Sequence, residues 1–406
     1  MKASQRANSI PESPFRMFLP YAEAARARGL DIIHLNIGDP DLPAPESAIH
    51  VFRHYKADHL PYASSYGFVQ LRKAFVDVHS PDHNLSPDDA IITCGASEGL
   101  YMTMLGCLEA GDEMIVFEPF YANYRGFAMM AGINLVPITT NIENNFALPS
   151  TSELEKKITP RTKAILITNP SNPTGQVFSS RELTDLAKVV KKYGLFLIAD
   201  EVYGPFAYDL PYISVLNIPG IEDHAIALNS ISKRSSSCGA RIGAVISRNK
   251  SVINAVSLMA KLRLSVPYLE QFYAVEALHD PVHLGNLKRQ YDQRRTYVYD
   301  RLKKMPGVTA YLPQGAFYGF TSLPIDDDMK FCKWLLESFN YKNHTIILAP
   351  GSSFYTTPGL GKQEVRLAYV QPMEKLALAM DCLENALSEY QATVLNKELE
   401  LQALSK

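Results

Sequence analysis

The sequence predicts an α/β fold: a large domain with a mostly parallel sheet flanked by helices, and a smaller α+β domain drawn from both chain ends. Three observations carry this prediction. Short apolar runs recur through the middle of the chain, longer amphipathic stretches separate them, and both terminal segments depart from that alternation. Strand–helix alternation marks layered α/β sheets, and continuous apolar runs suit strands covered on both faces.

Residues 1–45 hold one helical stretch, Phe15–Arg28, and then an extended, Pro-rich segment. The expected strands follow at Ala90–Thr93, Met114–Phe117, Ala164–Thr168, Leu195–Ala199, Ala225–Leu228 and Ala244–Ile246. Each is rich in Ile, Val, Leu or Ala and bounded by polar residues, Gly or Pro. Ser180–Tyr193 reads as a helix, opened by Ser179-Ser180-Arg181-Glu182 and closed by Gly194. Residues 291–406 mix helices with short strands at Thr345–Leu348 and Val365–Tyr369. A charged helix from Glu374 to Lys406 closes the chain, with a solvated extension after Tyr390. The large domain is thus expected over 46–290, and the small one over 1–45 and 291–406. A chain of 406 residues exceeds one ordinary core, which agrees with two domains.

A charged fraction of 20% and an apolar fraction of 47% place the chain among globular proteins rather than disordered ones. The net charge of −2 gives no support for a nucleic-acid partner. Cys94, Cys107, Cys238, Cys332 and Cys382 are scattered and never spaced CxxC, as expected of reduced thiols rather than disulfides or zinc ligands. Met1–Ser9 lacks the apolar core of a secretory signal, and no run is long enough to span a bilayer. A cytoplasmic protein without membrane partners is expected.

Ligands of open α/β sheets bind outside the carboxyl ends of the strands. Here five runs are followed by polar or special residues. Gly95-Ala96-Ser97 opens a helix after the first, and Glu118-Pro119-Phe120-Tyr121-Ala122-Asn123-Tyr124 follows the second. Asn169-Pro170-Ser171-Asn172-Pro173-Thr174-Gly175, Asp200-Glu201-Val202-Tyr203 and Ser230-Ile231-Ser232-Lys233 follow three others. A helix start with a hydroxyl suits a phosphate, though an ordinary capped turn looks the same. Asp200 at a strand tip calls for a cation or donor, as in an active site or a structural ion pair. Lys233 is a candidate amine nucleophile if its surroundings lower its pKa; most lysines are only solvated.

Taken together, these residues resemble class I/II aminotransferases of fold type I, the aspartate aminotransferase-like family. Ser230-Ile231-Ser232-Lys233, followed by Gly239, Arg241 and Gly243, looks like the family's cofactor-lysine signature. The 169–175 and 200–203 segments match in the same order, as do Gly38-Asp39-Pro40-Asp41 and Val365-Arg366-Leu367-Ala368-Tyr369. The resemblance runs from about Ile33 to Tyr369.

It implies a main sheet of the seven-stranded type, pyridoxal 5′-phosphate as cofactor, no metal, and an amino acid and a 2-oxo acid as substrates. Lys233 would hold the cofactor as an imine and then shuttle the α-proton. Asp200 would keep the pyridinium nitrogen protonated, and Asn172 and Tyr203 would hydrogen-bond the phenolic oxygen. Tyr121, or Phe120 next to it, would stack on the ring. Gly95, Ala96, Ser97, Ser230 and Arg241 would hold the phosphate. Tyr62 would reach the phosphate site of a neighbouring subunit, making a homodimer with shared active sites. Arg366 would bind the substrate α-carboxylate, with Gly38 and Asn172 beside it. The reaction would be ping-pong transamination.

The sequence departs from the family pattern at Tyr355, where many relatives carry glycine, and across Arg234-Ser235-Ser236-Ser237-Cys238. Both changes are expected to reshape the substrate pocket. His50 and His54 lack the glutamate of a zinc motif, Asp326-Asp327-Asp328 reads as a polar loop, and Gly359-Leu360-Gly361-Lys362 is too short for a P-loop. Relatives that run β-elimination or cyclopropane formation share nearly all these cofactor residues. A non-catalytic regulator with an aminotransferase-like module needs a DNA-binding domain for which the stretch before Gly38 is too short. Aspartate is the expected donor and an aromatic amino acid the next, with Arg16 or Arg263 as a possible partner for a second carboxylate.

Overall fold

The computed structural model describes every residue except 12, 15, 57, 80–84 and 396–406. A short strand, β1 (Asp31–His34), comes first. It is followed by β2 (Ala90–Thr93), β3 (Glu113–Glu118), β4 (Asn134–Thr139) and β5 (Thr162–Thr168). Then come β6 (Phe196–Asp200), β7 (Ala225–Ser230) and β8 (Gly243–Ile246). Strands β2 to β8 form one seven-stranded sheet in the order β2-β8-β7-β6-β5-β3-β4. Only β8 runs against its neighbours, so the sheet is mostly parallel as expected.

Side chains alternate across this sheet, as strand geometry requires. Leu197 and Ala199 join Leu183, Leu186 and Val190 of the helix Ser180–Tyr193 on one face. Ile198 joins Leu100, Met104 and Val256 on the other. The predicted helix ends hold: the Ser179 hydroxyl accepts from the Glu182 N–H, and Gly194 closes the helix in the left-handed region at φ 63°. Each predicted run lies in a strand apart from Leu195, just before β6. The unpredicted member, β4, contains Pro137 and lies at the sheet edge against β3 alone. A residue without an N–H is tolerated there and not in a central strand.

The remaining strands are β9 (Tyr318–Ser322), β10 (His344–Ile347), β11 (Ala349–Pro350) and β12 (Glu364–Ala368). β12 pairs antiparallel with β9 and β11, while β1 pairs parallel with β10 from Asp31↔His344 to His34↔Ile347. The two ends of the chain therefore meet, and a separate core forms around them from Ile33, Leu35, Phe317, Leu335 and Leu383. β10 and β12 begin and end one residue before the expected spans, and β9 was not expected. The first substantial helix is Leu19–Ala27, inside the expected stretch, whose start at Phe15 lies outside the described residues. The closing helix is Met373–Tyr390, followed by one π-helical turn at Gln391–Leu395. The expected extension from 396 to Lys406 likewise lies outside the described residues. Among the described residues no helix is long and apolar enough to cross a membrane.

Candidate active site

Because β2, β3, β5, β6 and β7 all run the same way, their carboxyl ends share one sheet edge. β8 runs oppositely, so the residues leading into it, Arg241 included, arrive at that edge as well. A cavity of about 490 Å³ opens there. Among the residues singled out from the sequence, Lys233, Asp200, Tyr203, Asn172, Tyr121 and Arg366 line it. So do Gly38, Ala96, Ser97, Ser230 and Arg241.

Asp200 is the last residue of β6, opposite Thr168 of β5. Its carboxylate accepts from the Tyr124 hydroxyl at 2.7 Å and the Val202 N–H at 3.4 Å. Burial outweighs these donors and raises its pKa to about 6. Tyr124 also shares a hydrogen bond with Thr168 Oγ1 at 2.8 Å, and its buried phenol is pushed far up.

Lys233 lies in the four-residue helix Ile231–Arg234, capped by the Ser230 hydroxyl, which accepts from the Ser232 N–H at 3.3 Å. Its Nζ donates to the Gly38 carbonyl at 2.5 Å and to Cys238 Sγ at 3.5 Å. Burial disfavours the ammonium form, yet neighbouring groups, Tyr318 and Cys238 foremost, leave the net shift upward. The sequence-based expectation of a lowered lysine pKa is therefore not met in the cofactor-free pocket. The amine becomes a nucleophile only once it gives up a proton.

Arg366, on β12, is 1% exposed. Its Nη1 donates to Asn172 Oδ1 at 2.8 Å and its Nη2 to the Asn36 carbonyl at 2.5 Å. The guanidinium carbon lies 4.2 Å from the Tyr318 ring centroid and 5.1 Å from that of Phe354. Burial lowers its pKa, but a guanidinium stays charged.

At the opposite side, Arg241 donates to the Cys238 carbonyl at 2.9 Å and the Cys94 carbonyl at 3.3 Å. Gly95, at φ 75°, starts the helix Gly95–Cys107, and a Cβ there would stand 2.5 Å from Arg241 Nη2. Only glycine lets the guanidinium approach this helix start, where backbone N–H groups and the Ser97 hydroxyl favour an anion. Gly95 itself does not line the cavity.

The Tyr121 ring takes the cavity wall, and Phe120 is buried off it. Tyr203 and Tyr318 share a hydrogen bond between hydroxyls 2.7 Å apart, and burial holds the Tyr203 phenol protonated. Tyr62 is 81% exposed and lies outside the cavity of its own chain. Arg263 is also excluded: it pairs with Glu98 at 3.2 Å and caps the Ser65 and Ile92 carbonyls. Arg16 does line the cavity. The expected reshaping by Tyr355 is not found, because it packs against Phe320 away from the cavity and donates to Glu364 at 2.7 Å. Of the altered lysine loop past Lys233, only Cys238 reaches the cavity.

Sequence reasoning missed Thr168 and Tyr318, both on the cavity wall. Tyr124 and Cys238 stand in segments singled out from the sequence but carry no role of their own there.

The donor set fits one kind of guest. A helix start and Arg241 suit a phosphate, Asp200 suits a cationic ring nitrogen, and Lys233 suits a carbonyl carbon, with Arg366 left for a carboxylate. Comparison with known proteins agrees. The aminotransferase class I and II family matches residues 30–382. An aspartate aminotransferase from Thermotoga maritima is 32% identical over 388 residues, covering 95% of this chain and 99% of its own. Aromatic-amino-acid aminotransferase 2 from Thermococcus litoralis is 30% identical over 402 residues, covering 96% and 99% respectively. The crystal structure of Thermotoga maritima aspartate aminotransferase superposes with a TM-score of 0.87 at 33% identity, covering 95% of this chain and all of the other. With this fold, this cavity and this likeness over nearly its full length, the chain belongs to the class I and II aminotransferases and is a pyridoxal-phosphate-dependent enzyme of that family.

Proposed function

We propose that the enzyme takes its amino group from aspartate and passes it to a 2-oxo acid such as 2-oxoglutarate, as a cytoplasmic homodimer with shared sites. The observation that carries the donor is Arg16. Of the four cations on the cavity wall, Arg366, Lys233 and Arg241 have assigned tasks, whereas the Arg16 side chain makes no hydrogen bond or ion pair among the described residues. It is the cation left for a second carboxylate. An aromatic donor is the second reading, supported by Tyr121 and Phe127 on the same wall.

Bound pyridoxal phosphate supplies a carbonyl carbon that captures an amino nitrogen and a cationic ring that accepts the electrons left when the α-proton departs. Lys233 would hold that carbonyl carbon, then, displaced by the substrate amine, take the α-proton and return it elsewhere. Asp200 would keep the ring nitrogen protonated. Its raised pKa reflects a burial cost that a cationic partner offsets. Asn172 and Tyr203 would donate to the phenolic oxygen, Tyr121 would stack on the ring, and Arg241, Ser230, Ser97, Ala96 and Gly95 would hold the phosphate. Arg366 would grip the α-carboxylate, with Gly38 alongside. Tyr62 would complete the partner's phosphate site; it belongs to an exposed apolar set that includes Leu60, Leu262 and Leu264.

A donor–acceptor panel tests the reaction. Aspartate with 2-oxoglutarate should turn over fastest, and Lys233→Ala should abolish both turnover and the visible absorbance of the lysine-bound cofactor. Retained absorbance in that variant, or ammonia release without an acceptor, contradicts the reading. Arg16→Gln should raise KM for aspartate, glutamate and 2-oxoglutarate several-fold, about 1 kcal/mol of binding, and leave phenylalanine unaffected. Equal effects on all substrates count against Arg16.

The Asp200 carboxyl holds its proton more tightly in the cofactor-free fold than in the unfolded chain. Its contribution to stability is therefore complete below about pH 4 and lost as pH rises through about 6. Against Asp200→Asn, the cofactor-free protein should lose on the order of 2 kcal/mol across that interval in denaturant titrations. Parallel curves for the two proteins would refute the shift.

Mixing Lys233→Ala with Tyr62→Ala chains tests shared sites. Each variant alone should be impaired, and hybrid dimers should regain activity at one of two sites. No recovery after verified subunit exchange rules out the shared arrangement.

A further inference from the structure

Tyr318 belongs to none of the motifs read from the sequence, yet it touches two groups at the centre of the cavity. It is the first residue of β9 and is 2% exposed. Its hydroxyl lies 2.7 Å from that of Tyr203. Its ring lies under Arg366, with the guanidinium carbon 4.2 Å from the centroid. The backbone makes room for it: a Cβ on Gly38 would fall 2.0 Å from the Tyr318 hydroxyl oxygen. Tyr203 follows β6, whereas Arg366 lies on β12, so one side chain bridges two separately built parts of the site.

We propose that Tyr318 is a positioning residue with two separable tasks: its hydroxyl aims the Tyr203 hydroxyl into the cavity, and its ring is the shelf on which Arg366 meets the substrate carboxylate. The first task follows from counting protons. A phenol has one hydrogen to donate. If Tyr203 gives its hydrogen to an acceptor in the cavity, its oxygen is left to receive one from Tyr318. That second bond fixes the rotation of the Tyr203 hydroxyl and polarises it, strengthening its donation. The second task follows from the ring's negative face, which attracts a guanidinium and holds it flat for a two-pronged contact with a carboxylate.

The inference rests on the reading of Tyr203 as donor to the cofactor's phenolic oxygen, so the test uses variants at both positions. The readout is the pH midpoint at which the absorbance of the lysine-bound cofactor changes. Donors to the phenolic oxygen stabilise the form in which the lysine nitrogen has lost its proton, and losing a donor raises the midpoint. Tyr318→Phe keeps the shelf and removes the hydroxyl. It should raise the midpoint by about half to one pH unit and leave KM for the amino acid within about twofold. Tyr318→Leu removes both and should also raise KM about tenfold. In a Tyr203→Phe background, Tyr318→Phe should add no further shift. If Tyr203→Phe alone moves nothing, the donor reading of Tyr203 falls. If it moves the midpoint and Tyr318→Phe does not, or if the two shifts simply add, the role given to the Tyr318 hydroxyl falls. Equal KM values for Phe and Leu at this position overturn the shelf.

Discussion

A carboxylate withdrawn from water at the tip of the central strand is the constraint around which this molecule is organised. Asp200 ends β6, the middle strand of seven, on the wall of the cavity. An ionised group there loses hydration that two hydrogen bonds only partly replace, and the upward pKa shift registers that deficit. Among the described residues no lysine or arginine is bonded to this carboxylate. The acid instead faces a cavity of about 490 Å³, where a cationic group would offset the cost of its burial.

The other polar groups sit where the sheet and its attachments can hold them at fixed distances from that acid. Ser97 and Arg241 come from the start of the helix after β2 and from the approach to β8, on the large sheet alone. Arg366 comes from β12 and reaches across to Asn172, which follows β5. Glu118, fully buried at the end of β3, accepts from the N–H groups of Thr356 at 2.8 Å and Thr357 at 3.2 Å. A buried charge therefore also ties the loop before β12 to the main sheet.

Much of this was legible in the order of residues. The strands of the main sheet are apolar on both faces and stop at polar residues, so their positions and their functional ends could be read together. β4 could not, because an edge strand tolerates Pro137 and exposes part of its length. Arg366 stood out as a charge within a buried strand pattern. Tyr318 and Tyr124 did not, because aromatic residues among apolar neighbours look like core until their hydroxyls are placed. Arg16 and Arg263 were indistinguishable as isolated cations. Tertiary contacts separated them, since Glu98 occupies one and the cavity faces the other. Tyr355 misled for a similar reason: its bulk is absorbed beside Phe320 and Glu364 and never reaches the cavity.

The pairing of β1 with β10 sets an order of events during synthesis. Residues 31–34 emerge from the ribosome early, but their strand partner, residues 344–347, appears only near the end of translation. The seven-stranded sheet lies wholly between them and is complete in sequence by Ile246. Domains tend to fold as their residues emerge, so this sheet can form while the N-terminal strand is still waiting for its neighbour. A nascent chain at that stage already carries the lysine and the acid, but not the arginine of β12. The cavity wall is thus made in two stages, the share of the large sheet first and the share of β9 and β12 last.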